Sequence, residues 1–265
     1  KVGSSIHKLK KLKKLKKLNK LKKALTDDNI NEAVKLWFGY RNDAIRIYGH
    51  ISNWNTSLVT DMYGLFTNSY FNDDISGWDT RNVKTMAFMF AHAQLFDQPI
   101  GRWDTGKVED MAGMFDSAIK FNQPIGNWDT SKVEDMRVML NDAKKFNQPI
   151  GNWDTSKVEN MEYMFRGAEN FNKPIGRWNT SKVEDMGGMF FNAKKFKQPI
   201  GNWNTSNVRN MKFMFANATN FNQLIGNWKT GNVKNMKLMF WDAEKFNKPI
   251  GRWNTSKVED MGGMF

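Results

Sequence analysis

Cysteine is absent from the 265 residues. That excludes a disulfide framework and any thiolate metal site. It does not choose between a reducing compartment and a secreted protein held together by packing alone. His7, His50 and His92 are scattered without ligand spacing, so the sequence points to no metal and no cofactor. No apolar stretch approaches the length of a membrane span. The chain opens on Lys1 rather than Met and shows no signal peptide, so it is expected to be cut from something longer. Acidic residues are missing from the first 24 positions, which carry eleven lysines. The net charge of +13 therefore belongs to a tail: from residue 25 onward 29 basic residues (40 less 11) face 27 acidic ones.

What is present is a repeat. Tryptophan recurs at Trp54, Trp78, Trp103 and every 25 residues to Trp253. A typical unit reads FNQPIGNWDTSKVEDMRVMLNDAKK over residues 121–145. Around each Trp the register holds Ile three before, Thr two after, Val five after, Met eight after, Met or Leu eleven after and Phe or Leu twelve after. Two columns contain all 17 Met, and the six Pro fall in one column from Pro99 to Pro249.

Spacing predicts the local structure. Val133, Met136, Met139, Leu140 and Ala143 lie at steps suited to one face of a short helix. Ser131 and Glu134 read as its capping box. Phe146 to Trp153, with Pro, Gly and Asn, reads as a short extended piece with a turn, any strand stopping before the Pro column or starting after it. One unit cannot bury enough apolar surface to offset its own ordering, so units must stack. The expected fold class is an α/β repeat: a leucine-rich-repeat-like solenoid of stacked 25-residue helix-plus-short-strand units. The expected organisation is a basic low-complexity tail (1–25), an amino-terminal cap (26–53) and about eight and a half repeats (54–265). In the cap, Asp27 or Asp28 is expected to open one helix burying Ile30, Ala33, Val34, Trp37, Ala44 and Ile47.

The pattern FNQPIGNWDTSKVEDM…MF…A resembles the BspA-like leucine-rich-repeat surface proteins, whose repeat also occurs in mycoplasma surface lipoproteins. The stretch NEAVKLW…YGHISNW…VTDMYGLF is similar to the lead-in segment of members in protists, algae and large DNA viruses. The resemblance implies an exposed or secreted, non-enzymatic adhesion or recognition protein whose partner varies by member. Asp74 and Leu224 replace Pro in the pattern, and Lys197 and Asp97 replace Asn.

Residue chemistry supports the same class. The M-x-x-M pairs share a stripe with Val and Ala and read as core rather than a copper site. The Asn column (Asn72, Asn122, Asn147, Asn172, Asn222, Asn247) reads as an amide ladder between units rather than a ligand-reading surface. Sequons at Asn55, Asn179, Asn204, Asn217 and Asn254 come mostly from one repeat column and carry little weight. The K-V-E-D carboxylates are serial, with no pair singled out for acid–base chemistry, so no enzyme and no small-molecule substrate is expected. Arg137, Glu162 and Lys212 are expected on an exposed surface that meets a protein or glycan partner. Trp241 joins them because its column otherwise holds small, polar or charged residues and Phe191. The alternative is an anionic-polymer binder (nucleic acid, acidic glycan or anionic lipid) led by Lys10, Lys11, Lys13, Lys14, Lys16 and Lys17, with the repeats as spacer. Leu9, Leu12, Leu15, Leu18 and Leu21 walk around a helix rather than forming a zipper or a membrane-lying face.

Overall fold

The local fold follows from where each unit sends its backbone N–H groups. In the computed structural model, which describes residues 24–265, Asp129 Oδ1 accepts from Ser131 N at 3.0 Å, and Val133 N donates to Thr130 O at 3.0 Å. Two tight turns thus follow the anchor Trp128. The expected capping box is not made: Glu134 N donates instead to Glu109 O of the preceding coil at 2.9 Å.

The stretch expected to be helical is a chain of overlapping turns. Met136, Val138, Leu140 and Asp142 donate to Asn160, Glu162, Met164 and Arg166 of the following coil. Between them, Met139, Asn141 and Ala143 donate three residues back within their own coil. An α-helix needs every N–H to bond four residues back; here alternate groups are committed between coils. Val138 (φ 47°) and Asp142 (φ 48°) are left-handed, which breaks any right-handed helical path. The corresponding positions of the other inner coils are left-handed too, including Tyr163, Phe213 and Leu238.

Stacking supplies the long-range order. Eight isolated parallel bridges run from Asp61↔Thr85 to Asn235↔Asp260, one between each pair of adjacent coils. No named strand forms among the described residues, and helix is confined to the amino-terminal cap. The helix-plus-strand α/β expectation is therefore wrong. The repeat is real, but its unit is a coil of turns. The apolar spacing of three and four fits i→i−3 turns as well as it fits a helix, so spacing alone does not separate the two.

Side chains tie each coil to both neighbours. Trp153 Nε1 donates back to Ile125 O at 3.0 Å, and the buried Thr155 Oγ1 donates forward to Asn179 O at 3.0 Å. The same pair of bonds recurs through most of the stack. The Asn column is a ladder: Asn122 Oδ1 accepts from Asn147 N, and Asn147 Oδ1 from Asn172 N, at 2.9 and 3.0 Å. Asp97 serves as a rung, accepting from Asn122 N. Inside, Val, Met, Ile and Phe columns are fully buried across the inner coils. Phe rings stack within coils (Phe115–Phe121, 3.8 Å) and between them (Phe90–Phe115, 5.7 Å), adding to the area that they bury. The Met pairs fill this core.

At the amino-terminal end two helices meet, α1 (Ile30–Gly39) and α2 (Arg41–Tyr48). The expected single helix breaks at Tyr40, and Ile47 is exposed rather than buried. Neither Asp27 nor Asp28 caps α1; the N-cap residue is Asn29, without a side-chain cap bond. Asp27 stands in for a missing coil. Its carboxylate accepts from Thr60 N (2.7 Å), Thr60 Oγ1 (2.6 Å) and Asp61 N (3.0 Å). In inner coils the position of Thr60 N bonds a backbone carbonyl, as Glu109 N does to Lys84 O. Burial would raise the Asp27 pKa, but the bonds from Thr60 and Asp61 outweigh it and hold it below the usual range.

Candidate interaction surface

The turn segment points its Met and Phe side chains inward, so the positions between them form one outer strip. Nine residues after each anchor Trp stand Arg137, Glu162, Gly187, Lys212 and Lys237. Each donates its N–H to the side chain two residues before it, as Glu162 does to Asn160 Oδ1 at 2.9 Å and Lys212 to Asn210 Oδ1 at 3.0 Å. The row is therefore set at fixed intervals of one coil on a hydrogen-bonded frame. The structure brings Arg137, Glu162 and Lys212 into this one row. Arg137 is exposed, whereas Glu162 and Lys212 are half-buried, contrary to the expectation that all three stand free.

Burial, followed by the repulsion of Asp185, raises the Glu162 pKa, and Arg137 acts against that rise. Asp135 is raised chiefly by burial, while the Arg137 N–H and charge oppose it. Along the strip the carboxylates are serial: Asp135 and Asp185 each accept from the N–H two residues on, Arg137 N and Gly187 N. No two of them are driven apart in one pocket as acid–base pairs are.

Beside this row lie rings that sequence reasoning passed over. Tyr163 and Phe213 stand ten residues after their anchors, and Phe191 thirteen after its own. Phe191 stacks on Phe213 at 5.8 Å. The Arg166 guanidinium lies 5.8 Å from the Tyr163 ring and 5.7 Å from the Phe191 ring. The Lys212 ammonium lies 4.9 Å from the Phe213 ring. Trp241, 48% exposed, occupies the Phe191 column two coils further on. Lys212 and Trp241 thus belong to one aromatic–cationic band with Arg166 and Phe191, and Glu162 and Arg137 flank it. The signal in the sequence is aromatic residues off the repeat register, and Trp241 is the one whose departure spacing marks most plainly.

A concavity of about 910 Å³ lies between α1 and the first coil, lined by Val34, Trp37, Phe38, Arg41, Tyr70 and Asp73 among others. Its only carboxylate, Asp73, already accepts from Trp37 Nε1 at 2.8 Å and from Arg41. The tail lysines Lys10 to Lys17 lie outside the described residues. Among the described residues no helix is long and apolar enough to cross a membrane.

No curated protein matches the chain. The family described as Mycoplasma protein of unknown function, DUF285, matches residues 32–134, 99–199, 120–220 and 173–265. These overlapping matches run from α1 through the last coil, and the chain belongs to that repeat family.

Proposed function

We propose that this chain is a non-enzymatic recognition scaffold, displayed at a cell surface or secreted, that binds a protein or glycan partner along the outer strip. The observation that carries the reading is the band of Tyr163, Arg166, Phe191, Phe213 and Trp241. Aromatic and Arg side chains dominate binding energy where partners dock. Here they are held, partly exposed, on a frame of hydrogen-bonded turns. The resemblance to BspA-like surface proteins supports exposure and adhesion, and the serial carboxylates favour binding over catalysis.

The test is binding of the full chain to immobilised extracellular-matrix proteins and to a glycan array. Changing Phe191, Phe213 and Trp241 to Ala together should weaken any captured partner at least tenfold, as about 1.4 kcal/mol of lost contact would do. Arg102→Ala with Arg177→Ala, outside the band, should not. Equal loss from both sets would sink the assignment. A tail-led polyanion binder is the second reading, favoured by eleven lysines without an acid in residues 1–24. It predicts retention on heparin or DNA that collapses steeply with salt and with deletion of the tail.

A further inference from the structure

The strip carries its own complement. Six residues after the anchor, the column reads Glu159, Glu184, Arg209, Lys234 over four consecutive coils; in the ninth position it reads Glu162, Gly187, Lys212, Lys237. Charge changes sign between the Trp178 and Trp203 coils. The ring positions are patterned about the same boundary. Ten residues after the anchor stand Tyr163, Gly188, Phe213 and Leu238; thirteen after stand Arg166, Phe191, Ala216 and Trp241. Contacts join the ninth, tenth and thirteenth columns: Lys212 lies over Phe213, and Phe213 stacks on Phe191. The sixth column is exposed in all four coils.

We propose that a second copy of this chain docks on the strip, about a two-fold axis passing between the Trp178 and Trp203 coils. An axis lying across the strip reverses the order of coils and keeps each column opposite itself, so the contact is isologous. Arg209 then faces the partner's Glu184, Lys234 faces the partner's Glu159, and Lys237 faces the partner's Glu162. Trp241 faces the partner's Arg166, a cation–π pairing of the kind that Arg166 already makes within its own chain.

Charges already paired within the chain do not oppose this. Arg209 lies 3.2 Å from Glu184, Lys234 3.7 Å from Glu259 and Lys237 3.5 Å from Asp260, all with substantially exposed side chains. Such surface pairs exchange partners at little loss. One coil further out on each side, Glu134 would oppose the partner's Glu259, so the contact is confined to four coils. At about 4.8 Å per coil that is roughly 19 Å of strip. The result is a weak, salt-sensitive dimer.

The inference rests on the strip being a recognition surface, and sedimentation of the full 265-residue chain tests it. The chain should dimerise at about 100 µM in low salt and weaken at least tenfold at about 0.5 M salt, where exposed charges are screened within a few ångströms. One variant reverses the basic coils (Arg209→Glu, Lys234→Glu, Lys237→Glu), and another reverses the acidic coils (Glu159→Lys, Glu162→Lys, Glu184→Lys). Each should be monomeric alone, and the two mixed should form a heterodimer, which also shows that both are folded. A monomeric native chain, or a dimer unchanged by either variant, overturns the proposal. Tighter association of the basic-reversed variant also overturns it, placing tail lysines on the acidic coils. A monomeric native chain whose binding to external probes still needs Trp241 would remove the dimer and leave the proposed function standing.

Discussion

Gly151 should be intolerant of a single added carbon, although its backbone is not left-handed. An ideal Cβ there would lie 2.5 Å from Pro174 O of the next coil, and Gly101, Gly126, Gly176, Gly201 and Gly226 meet the same obstruction at 2.2 to 2.5 Å. Ordinary contact begins near 3.4 Å, so Gly151→Ala must push two backbones apart by about 0.9 Å (3.4 less 2.5). The neighbours that resist are short bonds on either side: Asn172 N to Asn147 Oδ1 at 3.0 Å and Trp178 Nε1 to Ile150 O at 3.1 Å. Stretching either by that amount breaks it, at about 1 kcal/mol each. Ala returns about 0.4–1 kcal/mol by stiffening the unfolded chain. The expected net is a loss of about 1–3 kcal/mol in urea unfolding. Gly251 is the internal control, because nothing lies within 4 Å of its Cβ position. Gly251→Ala should be neutral or stabilising by about 0.5 kcal/mol. Hydrogen exchange at Asn172 and Trp178 should quicken in the first variant, and at Asn247 and Trp253 stay unchanged in the second. Equal stability for the two variants would refute the argument that coil separation sets the glycine column.

Lys197 breaks the side-chain ladder, because Asn222 N finds no side-chain acceptor below it, whereas Asn247 N bonds Asn222 Oδ1 at 3.0 Å. Lys197→Asn should restore the rung and add about 1 kcal/mol in urea unfolding; an unchanged or lower midpoint would count against it. Val138 is a β-branched residue held at φ 47°, a conformation that costs about 1–3 kcal/mol. Val138→Gly should therefore stabilise by about 1 kcal/mol despite glycine's larger chain entropy, and a destabilised variant would show that packing outweighs the strain. Burial, then Asp185, raises the folded pKa of Glu162 above its unfolded value. The folded state then binds the proton more tightly, so the stabilisation is present below the unfolded pKa and is lost as pH rises through the folded one. Glu162→Gln should accordingly raise the thermal midpoint at pH 7 and leave it unchanged at pH 3; the opposite pattern would mean that Arg137 governs the site.

The buried register of the repeats was legible in its apolar columns; the backbone was not. Val, Met, Ile, Phe and Trp columns announce the core because the same position must face inward in every coil. The Asn ladder was legible for the same reason, with Asp97 and Lys197 showing by contrast what a rung requires. What the apolar spacing could not tell is whether Met136 N bonds back along its own chain or across to Asn160. Both arrangements place Met136, Met139 and Leu140 on one side. Nor do Val138, Tyr163 or Phe213 look like left-handed residues; the stack imposes that conformation on them. In the cap, Ile47 was assigned inward by continuing one helical period past Tyr40, where the chain in fact starts a new helix. The strip was half legible. Arg137, Glu162 and Lys212 stand out in the sequence because they are charged, whereas Phe191, Phe213 and Tyr163 are aromatic in a chain already rich in buried aromatics.

Two identical stretches separate what a coil owes to its sequence from what it owes to its neighbours. Residues 171–190 and 246–265 share the sequence FNKPIGRWNTSKVEDMGGMF. In the first, Met186 and Phe190 are fully buried; in the second, Met261 is 44% and Phe265 72% exposed. Their counterparts Val183 and Ile175 are fully buried, while Val258 and Ile250 are only partly so. Within the second stretch the turn after the anchor persists, since Asn254 Oδ1 still accepts from Ser256 N at 3.0 Å, as Asn179 Oδ1 does from Ser181 N at 3.1 Å. The bond from Thr180 Oγ1 to Asn204 O, by contrast, reaches into a following coil. Turn geometry is thus written in the unit, and burial is written in the stack. A surface on such a frame can vary at Phe191, Phe213 or Trp241 without disturbing the turns beneath, because those positions contribute to the frame through their backbone bonds. That division lets outward residues depart from the repeat while the repeat still folds.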